Sequence, residues 1–161
     1  MEFGPRAQGN RSILANPLQT GITDAINQQV KFREHWRPYS PSILNLTAEQ
    51  LLPEQFQDEF RCLSYPVSRN WQEQYPVTVY RDGMMRAQII REQSNPDFHK
   101  LPSAFHGLTC HGLLLNAGLG RPGEPLVCIP EDALNMFLDT DLNYMIMEDV
   151  LVTKRECSMK W

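Results

Sequence analysis

The chain has 161 residues, of which 42% are hydrophobic and 21% charged. That is one domain, long enough to bury roughly 70% of its unfolded surface, and its composition excludes a disordered, collagen-like or coiled-coil protein. The net charge is −4, but residues 1–40 carry +2 and the rest −6, which argues against general nucleic-acid binding and suits a small anionic ligand. The start, Met-Glu-Phe-Gly-Pro-Arg, lacks the apolar stretch of a secretory signal, and no apolar run approaches the ~20 residues of a membrane span, so a cytoplasmic location is expected.

In chain order, the first sixteen residues are rich in Gly and Asn and read as a loop. Thr23 is expected to cap a helix running to Phe32, with Ile22, Ile26 and Val30 on one face and Lys31 and Arg33 in its last turn. Pro38 and Pro41 force extended backbone before them. Thr47-Ala-Glu-Gln50 is a capping-box pattern that starts a short helix toward Phe56. Residues 57–75 read as irregular, with a short strand around Cys62–Val67.

The second half alternates. Val77–Tyr80 and Met85–Ile90 read as strands joined at Asp82-Gly83, the strongest hairpin signal present. Asn95-Pro96 starts a helix with Phe98, Leu101, Phe105 and Leu108 on its apolar face and a kink at Pro102. Leu113–Asn116 and Pro125–Ile129 read as strands around a Gly-rich loop. Pro130-Glu-Asp opens a helix that turns Leu134, Phe137 and Leu138 inward, and Tyr144–Met147 and Val150–Thr153 complete the strands. Strands interleaved with helices predict an α/β domain with an open, twisted, mixed sheet and flanking helices.

Several short stretches carry chemistry. In Glu2–Ser12, Gly4 and Gly9 permit sharp turns, with Arg6 and Arg11 beside them, a composition suited to an oxyanion. Its spacing is not that of a P-loop. Lys31-Phe-Arg-Glu-His-Trp-Arg37 places three cations in seven residues, Arg86 follows a tight turn, and residues 115–125 hold three glycines between two expected strands. Taken singly, the first is as readily a surface loop with solvated arginines, the cation-rich helix end and Arg86 read first as solvated surface features, and a lone Gly-rich loop is a weak signal. Cys62, Cys110, Cys128 and Cys157 form no close pair and read as reduced, buried residues. His35, His99, His106 and His111 lack ligand spacing, so no metal site is expected.

Together these stretches resemble a family. Glu2–Pro17 is similar to the signature EFGPRALGNRSILADP of the C-terminal region of NodU/CmcH-type O-carbamoyltransferases. Lys31–Leu44 resembles KFREPFRPFAPSVL, and Asn95–Lys154 resembles the end of that region, through NP…F…LLN…GEPIVC-PEDAL…LV. The resemblance implies a single YrdC-like domain over residues 1–161. Full-length members pair it with a larger Kae1-like domain that carries a metal site. The YrdC-like part is implied to convert carbamoyl phosphate and ATP, both substrates, to carbamoyl-adenylate, and the Kae1-like part to pass the carbamoyl group to an acceptor hydroxyl. The carbamoyl-phosphate-binding cations of the family match Arg6, Lys31, Arg37 and Arg86 here, with Arg11, Asn116 and Gly118 as further contacts.

Three departures bear on activity. The family's LNTSFN reads Leu115-Asn-Ala-Gly-Leu-Gly120, which drops two hydroxyls and an Asn, and HVDGTAR reads Tyr80-Arg-Asp-Gly-Met-Met-Arg86. Met1 falls where family members have an internal Met, so a fragment lacking the Kae1-like domain is expected. The expected partners are that domain, in the same or a separate chain, a small-molecule acceptor, and a second copy of this chain covering an exposed edge; no nucleic acid or membrane is expected. The alternative reading is a degenerate module that binds a nucleotide or anion without catalysis.

Overall fold

A computed structural model describes residues 9–52 and 58–154. The order of elements is β1 (Ser12–Ala15), α1 (Ile22–Ala25) continued by one π-helical turn (Ile26–Val30), β2 (Pro41–Leu44), α2 (Asn45–Leu51), β3 (Tyr65–Pro66) and α3 (Arg69–Gln74). Then come a 3-10 turn (Pro76–Thr78), β4 (Met84–Met85), β5 (Gln88–Ile90), α4 (Pro96–Thr109), β6 (Leu113–Gly118), α5 (Pro130–Asp139), β7 (Tyr144–Met147) and β8 (Val150–Thr153). The main sheet has the order β1-β6-β2-β5. β6 runs antiparallel to both β1 and β2, and β2 runs parallel to β5. This is the mixed α/β sheet that the sequence predicts, consistent with the YrdC-like fold.

Register assigns the faces of the sheet. Ser42 pairs with Leu114 and Gln88, and Ile43 pairs with Leu113 and Ile89. Alternation then puts Leu113, Leu115, Ile43 and Ile89 on one face and Ser42, Leu114, Gln88 and Asn116 on the other. The first face feeds two apolar clusters. One gathers Ile43, Ile89 and Leu113 around Trp71, Tyr75 and Met85. The other gathers Ile13 and Leu115 with Ile26, Val30, Met136 and Phe137. The central run Leu113-Leu114-Leu115 is buried throughout, as a strand covered on both faces must be.

Several local expectations are corrected. Residues 9–16 are not all loop, because β1 lies among them and forms an edge of the sheet. The first helix is capped at Gly21, not Thr23. The second starts at Asn45, and Phe56 lies outside the described residues. The Asp82-Gly83 turn exists, with Gly83 at φ 77°. The segment before it is the 3-10 turn, and β4 after it pairs with β3 instead. The helix from Asn95 runs through Pro102 and buries Phe98 and Pro102, while Leu101 and Leu108 are exposed. On α5, Ala133, Met136 and Phe137 face inward, and Leu138 is exposed. Residues 125–129 form no strand, and Cys62, Cys110 and Cys128 are exposed.

Candidate functional site

The end of α1 turns the chain toward the C-terminal end of β6. In the π turn the Lys31 N–H donates to the Ile26 carbonyl at 2.8 Å, and Arg33 N–H donates to the Asn27 carbonyl at 3.0 Å. Phe32, between them, is left-handed at φ 41°, which swings the flanking side chains apart. Lys31 Nζ goes to the loop after β6, donating to the carbonyls of Gly118 and, at 2.7 Å, Gly120. Arg33 goes to the buried Asn27, donating from Nε to Oδ1 at 2.8 Å, and its guanidinium lies 4.2 Å from the centre of the Tyr39 ring. The Tyr39 hydroxyl donates to the same Oδ1 at 2.5 Å. Burial holds the Tyr39 phenol above the usual tyrosine pKa, against the opposing pull of Arg33 and Arg37.

These residues form one side of a cleft of about 510 Å³. Lys31, Arg33, Arg37, Arg61 and Arg86 line it, and among the described residues no Asp or Glu does. Arg61 is itself left-handed, at φ 54°, a conformation that costs energy for a non-glycine residue and recurs at functional sites. Its guanidinium donates to the Asn116 carbonyl at 3.1 Å, and its own carbonyl accepts from Arg86 at 2.6 Å. Arg37 is exposed and lies 3.9 Å from Glu34. Asn116 and Gly118 line the cleft from β6.

Of the residues singled out from sequence, the structure brings Lys31, Arg37, Arg86, Asn116 and Gly118 to this one cleft. Arg6 lies outside the described residues. Arg11 lies elsewhere: it donates to the Val127 carbonyl at 3.0 Å and lines a separate, largely apolar cavity of about 720 Å³ between β1, α4 and β7. Arg33 and Arg61 are additions. Arg33 belongs to the cation-rich run already visible in sequence, whereas Arg61 sits in an irregular stretch without any motif. Among the described residues no three His, Cys, Asp or Glu side chains cluster as a metal site, and no helix is long and apolar enough to cross a membrane.

Behind the cleft, register makes a buried polar cluster. Ser42 Oγ donates to Gln88 Oε1 at 2.8 Å, and Asn116 Nδ2 donates to Ser42 Oγ at 2.9 Å and Gln88 Oε1 at 3.4 Å. Gln88 is fixed in turn by donating from Nε2 to the Glu59 carbonyl at 3.1 Å.

Residues 1–154 match the sequence model of a family described as carbamoyltransferase C-terminus. An uncharacterized protein of Methanocaldococcus jannaschii is 34% identical over 155 residues, covering 96% of this chain and 26% of that protein. The nodulation protein NolNO of Sinorhizobium fredii is 37% identical over 161 residues, covering 98% of this chain and 24% of that one. The nodulation protein NolO of Bradyrhizobium diazoefficiens is 36% identical over 162 residues, covering 99% and 30%. This chain therefore spans about a quarter of the length of the curated relatives it matches.

Proposed function

The chain belongs to the carbamoyltransferase C-terminus family, and from that premise we propose that its cationic cleft binds carbamoyl phosphate for carbamoyl transfer. The observation that carries this reading is the convergence of Lys31, Arg33, Arg37, Arg61 and Arg86 on one cleft that, among the described residues, no carboxylate lines. A phosphate dianion is best held by guanidinium forks and an ammonium, and each charge-assisted bond contributes roughly 1.5–3 kcal/mol.

In the same reading ATP is the second substrate, and carbamoyl-adenylate is the product of this domain. Forming it brings two polyanions together: the C–O–P bond of carbamoyl phosphate is cleaved with one water to release phosphate, and the carbamate oxygen then displaces pyrophosphate from the α-phosphorus of ATP, so fixed positive charge is the main service the site can render. Transfer to an acceptor hydroxyl then belongs to a Kae1-like domain with its own metal, in the same or a separate chain.

Calorimetric titration of inorganic phosphate into the wild type and Arg37→Ala tests the cleft. The variant is expected to bind about tenfold more weakly, and equal binding removes Arg37 from the site. A second reading, anion binding without adenylate formation, is favoured by Ala117 and Gly118, which replace two hydroxyls of the family loop, and by the Lys31 bonds to that loop. Pyrophosphate release from ATP plus carbamoyl phosphate decides between the two: release supports the first, and its absence with phosphate still bound supports the second.

A further inference from the structure

Asn27 is wholly buried in the π-helical turn Ile26–Val30 and stands behind the cationic cleft, outside its lining. It holds Arg33 at two points. Its backbone carbonyl accepts from the Arg33 N–H at 3.0 Å, and its Oδ1 accepts from Arg33 Nε at 2.8 Å. The left-handed Phe32 folds the chain back so that these two residues, six apart, can meet. The same Oδ1 accepts from the Tyr39 hydroxyl, and Nδ2 donates to the His35 carbonyl at 3.5 Å. A guanidinium N–H can only donate, so an amide flip would set donor against donor, and the orientation of Asn27 is fixed. Single π turns of this kind recur at functional sites.

We propose that Asn27 is a positioning residue whose neutral amide oxygen fixes Arg33 for an anion in the cleft without cancelling its charge. The inference rests on the reading given under Proposed function, and Arg33 is not among the cations that the family resemblance implies. Asn27 takes Nε and the Tyr39 ring takes one face of the guanidinium, so the two NH2 groups are the donors left to the cleft that Arg33 lines. A carboxylate in place of the amide would accept the same bonds. It would also pair with the guanidinium and offset the positive charge that a phosphate dianion needs. Holding Arg33 in one geometry beforehand lowers the ordering cost of binding.

Inorganic phosphate is the probe, read by calorimetry and by the nuclear magnetic resonance signal of the Arg33 Nε–H. In the wild type that signal is expected to exchange slowly with water and to shift with the dissociation constant that calorimetry gives. Phosphate that binds without moving the signal overturns the inference while leaving the cationic cleft standing, and this result needs no variant to fold. Asn27→Ala is expected to bind phosphate about tenfold more weakly, and Arg33→Met likewise, with no further loss when the two are combined. Losses that multiply in the double variant overturn the action through Arg33. Asn27→Asp is expected to keep the slowly exchanging signal and still bind about tenfold more weakly, a split that a merely structural role does not produce. Wild-type affinity in Asn27→Asp overturns the role given to the neutral amide. Failure of phosphate to bind the wild type overturns the carbamoyl-phosphate reading itself, and this inference with it.

Discussion

Lys31 Nζ donates to the carbonyl oxygen of Gly120 at 2.7 Å and also to that of Gly118, so one ammonium joins the end of the first helix to the loop after β6. The loop is tight at this point. A Cβ at Gly120 would lie 3.1 Å from the Pro125 carbonyl oxygen and 3.2 Å from Leu126 Cα, both of them backbone. The cleft thus owes its shape to the same lysine that contributes to its charge.

Lys31→Met removes the ammonium and keeps the apolar stem. The loop carbonyls lose their charged donor, and a loss of roughly 1.5–3 kcal/mol in unfolding free energy is expected. Amide exchange at Leu119 and Gly120 should quicken with it. A variant as stable as the wild type, with unchanged exchange, removes the clamp.

Arg37 and Arg33 separate binding from stability. Arg37 is exposed and its contact to Glu34 is 3.9 Å long, so Arg37→Ala should change the unfolding free energy by less than about 0.5 kcal/mol while weakening phosphate binding. Arg33→Ala strips the buried Asn27 of one donor and the Tyr39 ring of its cation, so it should lower both. Urea unfolding beside phosphate titration of the two variants checks the pair. Equal loss of stability in both contradicts the distinction.

Burial raises the phenols of Tyr39 and Tyr75 above the ordinary tyrosine value. Each folded-state pKa then exceeds its unfolded value, near 10, so the unfolded chain releases these protons first. Their contribution is complete below about pH 10 and is lost as pH rises through the folded values. Urea unfolding at several pH values up to 11 should show stability falling from about pH 10 upward. Tyr75→Phe, which also gives up the 2.6 Å bond to His111 Nδ1, should show a shallower fall over that range. A fall of unchanged steepness excludes Tyr75 as a source.

Asp132 works in the opposite direction. The N–H groups of Cys128 and Ile129 donate to its Oδ2 at 3.0 and 3.2 Å, and they hold its carboxyl below the usual value. A lowered folded pKa gives stability that is present above the unfolded value, near 3.9, and lost as pH falls through the folded one. Asp132→Asn should therefore melt at a lower temperature than the wild type at pH 7, with the gap closing toward pH 2. A gap independent of pH argues for lost geometry in place of lost charge.

Much of the frame is legible in the sequence because its signals are local. Asn95 does cap α4, accepting from the Phe98 N–H at 2.9 Å, and Pro130 with Glu131 and Asp132 does open α5. The two final strands, Tyr144–Met147 and Val150–Thr153, also lie where the sequence places them, and they pair with each other. What fails is set by distant partners. Val77 gives its carbonyl to Tyr39 N–H at 3.0 Å in place of a hairpin strand, and Met84 and Met85 pair with Tyr65 and Pro66. Leu101 and Leu108 have a helical spacing, but that face of α4 meets no core. Arg61 has no local signature, since its place in the cleft depends on a left-handed backbone and on bonds to residues 86 and 116.

The cleft gathers groups that are remote along the chain: Lys31 and Gly118 are 87 positions apart, and Arg61 and Asn116 are 55 apart. Closing such loops precedes any reward from the contacts they allow, so non-local contacts of this kind are slow to form. The finished cleft exists only where β6 is docked between β1 and β2. An anion that binds only the finished cleft then stabilises the native state without stabilising the transition state. In stopped-flow experiments added phosphate should slow unfolding in proportion to its binding and leave the refolding rate where it was.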